Sequence, residues 1–87
     1  MTTKPPAKIK IASGQSLERV AYQSVVSVPT VEPHDQDRLG YNVWKYLTER
    51  RDSLEVAVKT AGARLLISEE EALQRIRQSL NQQGIQV

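Results

Sequence analysis

Phenylalanine and cysteine are both absent from this 87-residue chain, and those absences constrain what it can fold into more than any motif it carries. Aromatic filling falls to Trp44, Tyr22, Tyr41 and Tyr46, so the core has to be assembled mainly from aliphatic side chains. No disulfide, zinc-thiolate site or thiol nucleophile can contribute. A chain of this length buries roughly 60 to 65 per cent of the surface its unfolded form exposes. That supports one modest core with a margin of only a few kcal/mol, so a second copy of the chain is a natural candidate partner.

Punctuation along the chain suggests a basic, disordered arm over residues 1–7, where Lys4, Pro5 and Pro6 offer nothing to bury, and one small domain over 8–87. Lys8-Ile9-Lys10-Ile11 alternates polar with apolar, the period of a half-buried edge strand. Ser16 is placed to cap a helical turn containing Leu17, Val20 and Ala21. The β-branched Val25, Val26, Val28 and Val31 then suit a strand that Pro29 confines to an edge.

Leu39, Val43, Trp44 and Leu47 recur at helical spacing and predict a helix over 37–50, with 32–37 as the polar connection leading into it. Ser68 and Glu71 have capping-box spacing ahead of Leu73, Ile76 and Leu80, which predicts a helix over 69–83. Residues 52–67 support two readings. Leu54, Ala57, Val58, Ala61 and Leu65 fit a helical stripe, whereas Val56, Val58 and Thr60 would line one face of a hairpin turning at Gly62.

Favouring the hairpin gives an α+β fold: a small antiparallel sheet with strands near 8–12, 24–31, 54–60 and 63–67, packed by helices 37–50 and 69–83. The alternative is a mostly α chain with 53–63 helical.

Catalytic chemistry finds little support. The single histidine, His34, sits in a polar stretch beside Asp35 and Asp37 without further ligands, and Gly14, Gly40, Gly62 and Gly84 are too scattered for a phosphate loop. The Glu69 to Glu71 triplet is explained by the favourable dipole of a helix start, because consecutive helical residues diverge by about 100°. No catalytic residue, metal site or cofactor is expected. No apolar run approaches the roughly 20 residues of a membrane span, and the amino terminus lacks the apolar stretch of a secretory signal. A cytoplasmic, non-membrane protein is expected.

The formal charge is +2 and unevenly placed: residues 1–21 carry the basic excess, whereas 22–62 hold five basic against six acidic groups and 63–87 balance three against three. The composition therefore points to binding. The first expectation is a non-catalytic protein-binding module or accessory subunit acting through sheet edge and helix surfaces, with another protein or a second copy as partner. The alternative is a nucleic-acid-binding regulator using the basic arm. The candidate contact residues for either partner are Lys4, Lys8, Lys10, Arg50, Arg51, Arg75 and Arg77.

Overall fold

The computed structural model describes residues 16–50 and 53–86. Four helices make up the framework: α1 (Leu17–Ser24), α2 (Pro33–Glu49), α3 (Leu54–Ala61) and α4 (Glu69–Gln82). α2 packs against α1 and α3, and α4 packs against the same two, so α2 and α4 lie diagonally across the core. The α+β expectation is overturned: among the described residues there is no sheet, only one isolated antiparallel bridge between Thr30 and Leu65. Of the four expected strands, 8–12 lies outside the described residues. The other three have identifiable reasons for failing to form.

The stretch 24–31 is a series of turns. The amides of Val25, Val26 and Val28 each donate to the carbonyl three residues back, of Tyr22, Gln23 and Val25 respectively. Side chains then take the carbonyls a neighbouring strand would have used. Gln36 Nε2 donates to the carbonyls of Val28 at 2.9 Å and Val26 at 3.3 Å, and Arg75 Nη1 donates to that of Ser27 at 2.7 Å. Val25 and Val28 are fully buried while Val26 is exposed, a three-residue rhythm that suits a turn rather than a pleat.

Residues 54–60 are helical. Ser53 caps α3 by accepting from the Val56 amide at 3.2 Å, and Gly62 ends it in the left-handed region at φ 65°. Leu54, Ala57, Val58 and Ala61 are buried and Val56 is exposed, so the helical stripe prevails over the alternating one. Two alanines in that stripe let α3 sit close to its neighbours. Residues 63–67 then form an irregular connection that meets the α1–α2 connection at the Thr30–Leu65 bridge. Val31 N–H donates to the Arg64 carbonyl and Leu66 N–H to the Pro29 carbonyl, each at 3.0 Å.

The expected helices form with shifted ends. α4 begins where the Ser68 cap places it, Ser68 Oγ accepting from the Glu71 amide at 3.1 Å, and it ends at Gln82, ahead of Gly84 at φ 90°. Ile85 is fully buried, its amide donating to the Leu80 carbonyl, so the segment after α4 closes the core. α2 begins four residues earlier than expected. Pro33 occupies its first turn, where a missing N–H costs nothing, and Asp35 Oδ2 accepts from the Glu32 amide at 3.0 Å.

Asp35 also fastens the two connections together. Its carboxylate is 1% exposed, lies 3.3 Å from Arg64 Nη2 and accepts from the Arg64 backbone amide. Burial pushes the carboxyl up. The amides of Arg64 and Glu32, the Arg64 side-chain hydrogen bond and its positive charge outweigh that and hold it below the ordinary aspartate value.

Because the folded value is depressed, the stabilisation is complete above the unfolded value of about 4 and drains away as pH falls through the folded value. Thermal unfolding of Asp35→Asn should show a lower Tm than the parent at neutral pH, with the two curves converging below about pH 4. Curves that stay parallel down to strongly acidic pH would remove Asp35 from this role.

Candidate protein-interaction surface

The buried side of α2 carries Leu39, Gly40, Val43 and Leu47 into the core. Gly40 is where α1 crosses it. A Cβ built at position 40 would lie 2.5 Å from Cδ2 of Tyr22 and 2.8 Å from its Cε2, so the absence of a side chain lets the Tyr22 ring lie directly on α2. Helical spacing brings Tyr41 and Trp44 to a neighbouring face one turn apart. Their rings meet edge to face with centroids 5.8 Å apart. Trp44 is half-buried against the core and Tyr41 is 46% exposed. Three of the chain's four aromatic side chains thus share the surface formed by α1 and α2.

The electrostatics of this surface are mixed. Lys45 Nζ stands 5.8 Å from the centre of the Tyr41 ring and 2.8 Å from Glu49, its partner one turn on. Glu18 precedes Tyr22 by one turn of α1, and Asp37 precedes Tyr41 by one turn of α2. Partial burial pushes the Tyr22 phenol above its ordinary value, and the negative charges of Glu18 and Asp37 together with Tyr41 push it further.

The arginines singled out from the sequence do not converge. Lys4, Lys8, Lys10 and Arg51 lie outside the described residues. Arg50 is the left-handed C-cap of α2 at φ 53°, with its guanidinium 5.8 Å over the Tyr46 ring. Arg75 is occupied twice, at 2.7 Å from the Ser27 carbonyl and at 2.9 Å from Glu71 Oε2. Arg77 is exposed on α4, about 200° around the helix from Arg75. The five other cationic side chains among the described residues are Arg19, Arg38, Lys45, Lys59 and Arg64, of which Arg64 is committed to Asp35 and Lys45 to Glu49.

His34 lies at the exposed start of α2, 4.0 Å from Asp35, whose carboxylate is already directed to Arg64. Among the described residues no three of His, Asp and Glu gather as metal ligands, and no helix is long and apolar enough to cross a membrane. Two hollows open elsewhere. A groove of about 390 Å³ between the end of α1 and α4 is lined by uncharged polar groups, including Gln23, Gln78, Ser79 and Gln82, with Arg75. A smaller hollow of about 230 Å³ lies beside α3, at Val58, Lys59, Gly62, Ala63, Leu65 and Glu69.

Sequence reasoning assigned Trp44 and the tyrosines mainly to core filling, whereas the fold leaves Tyr41 exposed beside a half-buried Trp44. The available signal was Gly40: a glycine inside a strong helical pattern costs about 1 kcal/mol against alanine and marks close approach by a neighbour. No protein family, curated protein or solved structure matches the chain.

Gly40→Ala should therefore force the Tyr22 ring off α2. Overpacking of this kind costs roughly 1 to 3 kcal/mol, against about 1 kcal/mol gained in helix propensity. A modest fall in Tm is expected, with loss of the nuclear Overhauser contacts between the Tyr22 ring and position 40. A variant more stable than the parent with those contacts intact would show that the crossing is not tight.

Proposed function

We propose that this chain is a small, non-catalytic protein-binding domain or accessory subunit that docks a partner through the aromatic face of α1 and α2. The observation that carries the reading is the gathering of Tyr22, Tyr41 and Trp44 on one side of a protein whose core is otherwise aliphatic, with Tyr41 left nearly half exposed. Tyrosine and tryptophan dominate the energetics of protein interfaces because they bury large area at small entropic cost. A ring half-sunk in its own core, as Trp44 is, comes already oriented. The remaining exposed aliphatics, Val26, Val31, Val56 and Leu66, are distributed over α3 and the connections.

The nucleic-acid alternative is less well supported. Phosphate binding needs clustered cations, and Arg50, Arg75 and Arg77 occupy different faces, two of them already engaged. The described residues carry nine acidic against eight basic side chains. A cytoplasmic setting fits a chain without cysteine.

Photo-cross-linking tests the reading. A benzophenone amino acid placed at Tyr41 should give discrete adducts in an extract of the source cells, and excess unmodified protein should compete them away. The same group at Glu55 on α3 or Glu70 on α4 should give none. Equal adducts from all three positions, or none from Tyr41, would contradict a docking role for this face.

A further inference from the structure

The larger of the two hollows, about 390 Å³ between the end of α1 and α4, falls in the size range of small-ligand sites. Arg75, Gln78, Ser79 and Gln82 follow one another at three- and four-residue spacing and form its α4 wall, while Gln23, Val26 and Ser27 form the other. That second wall is held in place. Arg75 reaches across to the Ser27 carbonyl at 2.7 Å, and Gln36 holds the carbonyls of Val26 at 3.3 Å and Val28 at 2.9 Å. Val26 is 58% exposed, so a large apolar side chain stands at the edge of an otherwise polar groove.

The polar groups of the groove are open to a ligand. Among the described residues the side chains of Gln23, Gln78 and Gln82 make no hydrogen bond, and Ser79 Oγ, which accepts from Gln83 Nε2 at 3.2 Å, keeps its own proton to donate. Charge in the lining is balanced. Arg75 is matched by Glu71 at 2.9 Å, and the α4 residues flanking the stripe, Gln74 and Asn81, are uncharged. Arg77 lies about 100° around α4 from Gln78 and Arg19 one turn before Gln23, and neither lines the groove.

An anion or an ammonium finds no uncompensated opposite charge in this lining. A purely apolar ligand would strip water from three carboxamides and return no hydrogen bond. A polypeptide main chain suits them, because each carboxamide offers the same C=O acceptor and N–H donor that a peptide unit presents. The repeat also agrees. Gln78 and Gln82 stand about 6.0 Å apart along α4, and the peptide units on one edge of an extended chain recur at about 6.6 Å. From Arg75 to Gln82 the wall runs about 10.5 Å, the length of about three extended residues.

We propose that this groove binds an extended, uncharged segment of a partner protein by its main chain. The Gln78 and Gln82 carboxamides pair with successive peptide units along one edge of the segment, Gln23 and Ser27 face its other edge, and Val26 receives one of its side chains. Main-chain hydrogen bonds then supply the affinity, and the lack of unpaired charge in the lining disfavours charged segments. The site is separate from the aromatic face and does not rest on it. Glu70, the cross-linking control on α4, lies two turns before Gln78 and about 80° around the helix, outside the groove lining.

Backbone and glutamine side-chain chemical shifts of the full chain are followed during titration with three neutral probes: a blocked hexapeptide of alternating serine and valine, the same peptide methylated at every backbone nitrogen, and maltotetraose. The hexapeptide should bind saturably and shift Gln23, Gln78 and Gln82, its affinity changing less than about twofold between roughly 0.05 and 0.5 M salt. Methylation removes the main-chain donors and should weaken binding at least about tenfold. Gln78→Met with Gln82→Met keeps side-chain length and helix propensity, so Tm should stay nearly unchanged while affinity for the hexapeptide falls at least about tenfold. Equal binding of the methylated and unmethylated peptides, no shifts at these glutamines, a steep loss of binding with salt, or tighter binding of maltotetraose in the groove would each overturn the proposal. Cross-linking at Tyr41 is read separately: a groove that fails leaves the aromatic face standing, and a silent aromatic face leaves the groove.

Discussion

A carboxylate taken out of water has to be repaid by hydrogen bonds and opposite charge, and Asp35 is where this small protein makes that exchange. The Glu32 amide, the Arg64 amide and the Arg64 guanidinium all converge on it, at the N-terminus of α2 where the helix dipole also favours negative charge. The consequence is architectural. The connection after α3 is drawn onto the start of α2, and the bridge at Thr30 and Leu65 brings the connection after α1 to the same place. Two loops that would otherwise add conformational freedom to a marginal core are tied at one point.

That tie governs how the helices sit. With the N-terminus of α2 anchored, α1 crosses it at Gly40 and α3 packs by its alanine-containing stripe, leaving α4 to close the core from the diagonal position with Leu73, Ile76, Leu80 and the following Ile85. Small residues at the α1–α2 and α2–α3 contacts fit a chain lacking phenylalanine: the helices approach closely because there is little bulk to separate them. The larger rings are then displaced outward. Tyr22 lies along the crossing and Tyr41 stands beside it with Trp44 half-sunk behind, so the shortage of core volume and the existence of an aromatic surface have the same origin.

The sequence made some of this legible and hid the rest for physical reasons. The caps at Ser16 and Ser68 and the stripes of α2 and α4 could be read directly, because hydroxyl caps and four-residue periodicity are local signals. Residues 54–60 carry both periodicities, and the deciding fact, burial of Ala57 and Ala61, depends on tertiary contacts. The valines of 24–31 have strand propensity, but the carbonyls of Val26 and Val28 go to Gln36 and that of Ser27 to Arg75, 48 residues away in sequence. Pro33 suggested a connection and proved to be the first turn of α2.

The candidate site was less visible still. Charge drew attention to Arg50, Arg75 and Arg77, which the fold disperses and partly consumes. The face that the fold assembles depends on Tyr22 and Tyr41, 19 positions apart, meeting across a glycine. The account turns on that face being open in the free protein. Photochemically induced nuclear polarisation, which enhances only tyrosine and tryptophan rings reachable by a dissolved dye, measures this directly. The account predicts a strong Tyr41 signal that persists across a dilution series. A silent Tyr41 in the free, folded chain would contradict it, because the face would then already be covered.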